Sequence, residues 1–487
     1  MNLSLRTLTK RASLLLFLTF FLVFVSAVVF GALTASAIFL VLAAAALQIL
    51  LSLYKKIYSA VVPLEKMKET LADVYPEYLD KVSLLLVLTP IMAGINIMLG
   101  LVWVASGYLA ASRAIWRIAR RVAARKKILK ENKDAYVSDS PRVIAYVSGL
   151  ENVAYQINQW IPVLENIEKQ VAIVVRERTV FAGMDKTSIP VYFARTQFDV
   201  EFLLATAGSA RTVLYPANTM KNVQSLRHYR LNHFFINHGE SDKAVNQNKL
   251  LMAYDKLLVG GPLAERRLRE AGLPLREDQV EYVGRPQAEA LLDVVEGEHQ
   301  IRTILYAPTW EGFVEDVNYS SVSEFGYTLL ESLKKEGKFN VIFKPHPYTG
   351  ERNKRNQEWL KRINSLCQRD GVEIVDGSIH EVMNRCDLLV TDISSVLNEF
   401  LVTNKPIILC NVKNSSEDEL ATKFPSSQGA YVLANGEEVR ELITHISEED
   451  TLAGKRRAVR RDSLSDFPEG AMKRFKDIIE KSVDNAA

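Results

Sequence analysis

From Leu14 to Tyr54 the chain runs almost unbroken through apolar side chains. That is about 40 residues, roughly twice what one helix needs to cross the hydrocarbon core of a bilayer. A hairpin of two membrane helices is therefore expected, turning at the small residues around Gly31, Ala32, Leu33 and Thr34. Arg6, Lys10 and Arg11 precede the pair and Lys55 and Lys56 follow it, which keeps both ends cytoplasmic. A cleaved signal peptide does not fit, because the run is far longer than a signal core and has no polar release point. A second apolar block, Ser83 to Ala111, is interrupted by Pro90, Gly94 and Gly100 and reads as one tilted crossing or as a re-entrant pair. A single crossing here would make three and strand the basic N-terminus outside, against the charge rule.

Behind that block, Ser112 to Lys130 carries Arg113, Arg117, Arg120, Arg121, Arg125, Lys126, Lys127 and Lys130 without one acidic residue. Interleaved with Ile115, Trp116, Ile118 and Val122, these charges have the composition of a helix lying on an anionic inner leaflet. The same bias puts everything after Lys130 in the cytoplasm. Charge elsewhere is balanced, 60 basic against 57 acidic residues for a net +3, so the whole-chain average points to no particular partner and nucleic acid is not expected. Cys367, Cys386 and Cys410 form no CxxC pair and have no histidine at ligand spacing, which excludes a disulfide framework and a zinc site.

With 487 residues the chain has room for about two globular domains beside its membrane part. After Pro141, short β-branched runs alternate with helical periods, the pattern of parallel α/β construction. Strands are expected at Val143–Val147, Val171–Val175, Pro190–Phe193, Thr212–Tyr215, Phe234–Asn237, Lys256–Val259 and Gln279–Val283. A second set follows at Arg302–Tyr306, Asn340–Phe343, Val372–Val375, Asp387–Val390 and Pro406–Leu409. The fold class is thus α/β: two Rossmann-like domains preceded by α-helical transmembrane segments. The expected divisions are a membrane region over 1–112, a basic surface helix over 113–135, and Rossmann-like domains over 136–290 and 291–487, joined near Pro286 to Gln300. Open sheets of this kind take ligands at the carboxyl ends of their strands. The last helix, Ala471 to Val483, is expected to pack back on the first domain.

Four clusters stand at expected strand ends. His238 and Gly239, followed by Glu240, Ser241, Asp242 and Lys243, present an imidazole whose affinity for protons suits it to take one from a hydroxyl. In Tyr306-Ala307-Pro308-Thr309-Trp310, Thr309 is a donor for phosphate and Trp310 a wall for a pocket. In Lys344-Pro345-His346-Pro347 two prolines hold a lysine and a histidine rigidly, an arrangement for binding phosphate or protonating a leaving group. In Thr391-Asp392-Ile393-Ser394-Ser395 a buried strand breaks into a helix whose first turn offers N–H groups and two hydroxyls to an anion. The plain structural reading is that Asp392 or Ser394 caps that helix. A glycine-rich Walker loop and an Asp-x-Asp pair are both absent, so metal-independent chemistry without a cofactor is expected, with Lys344, Arg285 or Lys243 neutralising a diphosphate.

Taken together and in this order, the clusters resemble the CDP-glycerol glycerophosphotransferase family, which includes teichoic-acid primases and polymerases. The resemblance spans roughly Phe234 to Leu409. It implies a two-domain, glycosyltransferase-B-like enzyme at the inner membrane face, in which an acceptor hydroxyl attacks the β-phosphate of CDP-glycerol and CMP leaves. By that resemblance His238 matches the base and His346 the second essential histidine. Ser394 and Ser395 match the phosphate-binding turn, and Arg285 in Gly284-Arg285-Pro286 holds the interdomain position. The domain over 136–290 would then take the acceptor and that over 291–487 the CDP donor. Two departures stand out: Glu240, Ser241 and Asp242 replace the family's commoner Thr-Pro-Leu-Lys continuation, and Asn411 to Glu419 replaces an aspartate-rich stretch. The implied partners are a CDP-glycerol or CDP-ribitol-like donor, a lipid-linked or polymeric envelope acceptor and inner-leaflet anionic lipids. The rival readings are a nucleotide-sugar glycosyltransferase of the same architecture and a catalytically silent membrane scaffold.

Overall fold

Gly31, at φ +88°, stops a helix of Leu5–Phe30 and lets the chain reverse into a second, Ala35–Val61. Thr34 caps the second helix by accepting from the Ala37 amide. The computed structural model describes residues 5–31, 34–149, 153–239, 248–291, 300–312, 318–335, 337–375, 377, 379–467 and 469–484. Ala32 and Leu33 of the expected turn lie outside these, as do Glu240 to Lys243 and most of the expected junction between domains.

The second apolar block resolves into two helical segments. Tyr78–Ile95 is helical apart from a 3₁₀ turn, and after a break at Asn96 a helix runs from Ile97 to Ala123. Asn96 leaves helical geometry (φ −158°, ψ 131°), and its side chain accepts from the Met98 and Leu99 amides. Among the described residues four helices are long and apolar enough to cross a membrane. Their outward faces carry Phe17, Phe24, Phe39 and Leu109, each more than 60 % exposed, which is the surface a hydrocarbon solvent accepts. Inside, Ala37, Leu40, Ala44, Leu47 and Leu51 pack against Leu86, Ala93, Val104 and Ala111. A Cβ on Gly100 would come within 2.8 Å of the Ala93 backbone, so the two helices touch where a small residue permits it.

The basic run does not form a separate surface helix. Its first half continues the Ile97–Ala123 helix, because Ile115 and Ile118 pack on the same apolar cluster as the residues before them. Arg121 turns inward: it donates to the Tyr58 carbonyl and shares the half-buried carboxylate of Glu65 with Arg178. After Ala124 the helix resumes over Arg125–Asp139.

Fourteen strands follow the chain among the described residues: β1 (Leu64–Lys66), β2 (Val143–Val147), β3 (Val171–Val175), β4 (Val191–Ala194), β5 (Thr212–Tyr215), β6 (Asn232–Phe235), β7 (Lys256–Val259), β8 (Val280–Tyr282), β9 (Thr303–Ala307), β10 (Asn340–Phe343), β11 (Glu373–Ile374), β12 (Leu388–Thr391), β13 (Ile407–Cys410) and β14 (Tyr431–Leu433). The chain divides into two compact units. The first holds 1–158, 169–213 and 219–231, with the strand order β1-β4-β3-β2-β5, in which β4, β3 and β2 pair parallel and β1 pairs antiparallel with β4. The second holds 159–168, 214–218 and 232–487. It contains the end of β5, then β6, β7 and β8, and a complete six-stranded parallel sheet in the order β11-β10-β9-β12-β13-β14.

Alternation along the six-stranded sheet builds two cores. Ile304, Tyr306, Val341, Phe343, Leu388 and Val390 face helices Glu324–Lys334 and Lys354–Asp370, whereas Leu305, Ala307, Ile342 and Leu389 face the other side with Leu397 and Phe400. The strand order reverses between β9 and β12, which is where a doubly wound sheet opens a crevice. The last helix, Ala471–Asp484, packs on the first domain's segments of this unit: Phe475 lies against Trp160 (5.0 Å between ring centroids), Lys476 pairs with Glu168, and Asn232 donates to the Ser482 carbonyl.

Candidate active site

All the candidate groups with described positions lie in the second unit. β6 ends at Phe235, and two residues later Asn237 takes a left-handed conformation (φ 53°), which asparagine tolerates better than most. Its side chain braces the turn from both sides, accepting from the His238 amide at 2.9 Å and donating to the Gly239 carbonyl at 2.8 Å. The half-buried His238 ring then sits with Nδ1 2.8 Å from the Pro216 carbonyl. A carbonyl only accepts, so Nδ1 carries the hydrogen, and in the neutral ring Nε2 keeps its lone pair. Burial holds this imidazole below the ordinary histidine range, with Arg285 acting in the same direction; the Pro216 bond and Glu399 oppose it. The neutral form is the one a base requires.

Arg285 stands behind this histidine. Its Nη2 donates to Gln159 Oε1 (3.0 Å), the His238 carbonyl (3.0 Å) and Glu399 Oε1 (2.6 Å). The second oxygen of Glu399 meets His380 Nε2 at 2.7 Å. Arg285 and Glu399 are both almost fully buried. Burial alone would raise the Glu399 carboxyl, but the guanidinium and then the imidazole outweigh it and bring it down to about 2. Gly239 closes the cluster: a Cβ there would lie 2.8 Å from the Ser395 Cβ and 2.9 Å from its Oγ. The His238-Gly239 loop thus rests directly on the first turn of helix Ser395–Phe400.

The other candidates occupy the ends of β10, β9 and β12, which are neighbours in the sheet. Two buried carboxylates tie their loops together. Asp392 accepts from the amides of Thr309 (2.8 Å) and Ser321 (3.0 Å). Glu311 accepts from the amides of Gly350, Arg352 and Asn353. Asp392 is therefore a brace between loops, not the helix cap; Ser394 holds the cap position in extended geometry without a side-chain cap bond, its Oγ 3.4 Å from Thr391 Oγ1. Lys344 is buried at the end of β10. His346 Nδ1 accepts from the Tyr348 amide at 3.1 Å, which places the ring hydrogen of the neutral form on Nε2. Trp310 stacks on the His346 ring (6.0 Å, 20°) and meets Tyr348 edge-on. One histidine is set to accept through Nε2 and the other to donate through it.

Of the expected site residues, His238, Gly239, Arg285 and Ser395 are joined by contacts within this unit. Thr309, Trp310, Lys344, His346, Asp392 and Ser394 collect at the adjoining strand ends. Glu399, His380, Glu311 and Tyr348 were missed. Glu399 carried a signal, since a carboxylate beside Val396, Leu397 and Phe400 on a short apolar helix demands a buried partner; His380 carried none.

Fold and site together define a doubly wound α/β protein with apolar amino-terminal helices, in which Lys344, His346 and the Ser394-Ser395 turn stand at strand ends of the six-stranded sheet and the His238-Gly239 loop, after β6, rests on Ser395. Residues 242–479, just under half of the chain, match the model of the CDP-Glycerol:Poly(glycerophosphate) glycerophosphotransferase family. Among solved structures, the wall teichoic acid polymerase TagF aligns at 15 % identity with a TM-score of 0.49, covering 76 % of this chain and 96 % of that one. A UDP co-structure of MnaA from S. aureus aligns at 13 % identity and a TM-score of 0.48, covering 71 % of this chain and 97 % of that one. A putative UDP-N-acetylglucosamine 2-epimerase from Listeria monocytogenes aligns at 12 % identity and 0.47, with 71 % and 97 % covered. No curated protein matches.

Proposed function

We propose that the chain is a membrane-anchored transferase that moves glycerol phosphate, or a related polyol phosphate, from a CDP-activated donor to a cell-envelope acceptor hydroxyl, in teichoic-acid-like polymer synthesis. The observation that carries this reading is the tautomer of His238, set by the Pro216 carbonyl, on a loop that rests on the Ser395 turn; Ser395 lies within residues 242–479, which a glycerophosphotransferase family model matches, and His238 stands just before that segment. His238 Nε2 takes the acceptor's proton; the acceptor oxygen bonds to the donor's β-phosphorus as the bond to the bridging oxygen breaks, and CMP departs with the electron pair. Such a displacement needs positioning and charge stabilisation more than covalent help. Lys344, Thr309 and the Ser394-Ser395 turn hold the donor phosphates, Trp310 walls the pocket, and His346 donates through Nε2 to the phosphate or the leaving group. Arg285, expected among the phosphate ligands, serves instead as a positioning residue, since Glu399, Gln159 and the His238 carbonyl already engage it.

Four crossings return the chain to the side on which it starts, which relieves the charge conflict left by three and keeps both sheets cytoplasmic. The reaction runs without metal or cofactor. Incubating the full chain in membranes with CDP-glycerol or CDP-ribitol, with and without EDTA, and identifying the released nucleotide and lengthened product tests all of this. CMP release that persists in EDTA is the expected result. Release of UDP or GDP from a nucleotide sugar would instead favour a glycosyltransferase, and absence of donor binding by calorimetry a silent scaffold.

A further inference from the structure

Within the first unit, a groove of about 410 Å³ runs along helix Arg125–Asp139, a volume in the range of small-molecule sites. Lys126, Lys130, Lys133 and Val137 follow each other at helical spacing and share one face. Leu129 and Phe202 add apolar surface, and Asp134 is the one acidic residue of the lining. Lys133 Nζ lies 4.6 Å from the centre of the Phe202 ring. Among the described residues no carboxylate comes within ion-pair distance of these three lysines, whereas Lys127, on another face of the same helix, faces Glu131 at 3.9 Å. Phe202 opens a π-helical turn, Phe202–Thr206, a geometry frequent at functional sites. The groove begins three residues beyond Ala123, where the last apolar helix ends.

Three ammonium groups with no carboxylate partner among the described residues, above an apolar floor and directly beyond a membrane-spanning length of helix, match the chemistry of one ligand. We infer that the groove binds the phosphate headgroup of an anionic membrane phospholipid, with the upper part of the acyl chain against Leu129, Val137 and Phe202. This rests on reading the four apolar helices as membrane spans, and it assigns lipid recognition to one face of a helix instead of to the whole basic run.

The test uses the full chain reconstituted in phosphatidylcholine vesicles containing a minority of phosphatidylglycerol with a diazirine in its acyl chain, or the same probe on phosphatidylcholine. The phosphatidylglycerol probe should label peptides containing Leu129, Val137 or Phe202. The triple variant K126Q/K130Q/K133Q should lower that labelling by up to on the order of 100-fold, since each lysine near an anionic surface contributes about fivefold; K127Q should not lower it. Helices Ser13–Phe30 and Ala35–Val61 should be labelled by both probes in every variant, which also reports that the triple variant inserts and folds. Equal labelling of the groove by both probes, or no loss in the triple variant while the helices remain labelled, overturns the groove. Absence of labelling in the helices overturns the membrane reading, and the groove with it.

Discussion

Replacing Glu399 by Gln keeps its shape and removes the anion that, among the described residues, serves both Arg285 and His380. The guanidinium then remains buried without a counter-charge, a loss of about 3–5 kcal/mol when one partner of a buried pair is removed. The carboxyl itself gives a similar figure: held at about 2 against an ordinary 4.5, it corresponds to about 3 kcal/mol of preference for the charged, folded form. For a domain of 150–250 residues this lowers the melting temperature by about 6–12 °C. Thermal unfolding of the detergent-solubilised full chain reads it. The double variant R285M/E399L should recover most of the lost stability, because no charge is left stranded, yet its turnover should stay low because nothing then donates to the His238 carbonyl. An E399Q melting temperature within about 2 °C of the parent, or a double variant less stable than the single one, would refute the argument that this ion pair holds the histidine loop.

H238A should lower turnover about 100- to 10,000-fold with the fold intact, as measured by CMP release and circular dichroism. As the proposed base His238 must be unprotonated, and burial holds it below the ordinary histidine range, so the acid limb of kcat/KM should fall below about pH 6.5; a limb above that value would remove it as the base. Glu399 is depressed, so its stabilisation is complete above about pH 4.5 and is lost as pH falls through about 2; the stability difference between parent and E399Q should shrink across that window in acid titrations. G239A drives a methyl group into Ser395 and should destabilise by about 1–3 kcal/mol, with S395G restoring stability but not turnover. The three cysteines are buried, and burial pushes the thiols of Cys367 and Cys386 up to about 12, so a thiol reagent at neutral pH should label none before denaturation and all three after it.

The central strands were legible because their signal is local: Val143–Val147 and Val171–Val175 are β-branched runs buried on both faces, and their observed bounds equal the expected ones. β1 was not read, since Leu-Glu-Lys has no strand character and owes its geometry to antiparallel pairing with β4. The membrane count stayed open for want of one observation, that an asparagine inside an apolar block is an N-cap and therefore a helix boundary; Asn96 supplied that cue. At the site, His238, His346 and the Ser394-Ser395 turn were visible as chemistry at strand ends. The Arg285–Glu399–His380 link was not, because its members stand up to 114 residues apart and only the folded backbone brings them together.

The helix that leaves the apolar bundle at Ala123 and resumes at Arg125 is fastened at its far end, where Tyr136 donates to the Leu203 carbonyl and meets Tyr192 edge to face. Such a strut couples height to heading. Each residue inserted into it lifts what lies beyond by about 1.5 Å and turns it by about 100°, so the first sheet's distance from the apolar helices cannot be adjusted without also swinging it about the helix axis.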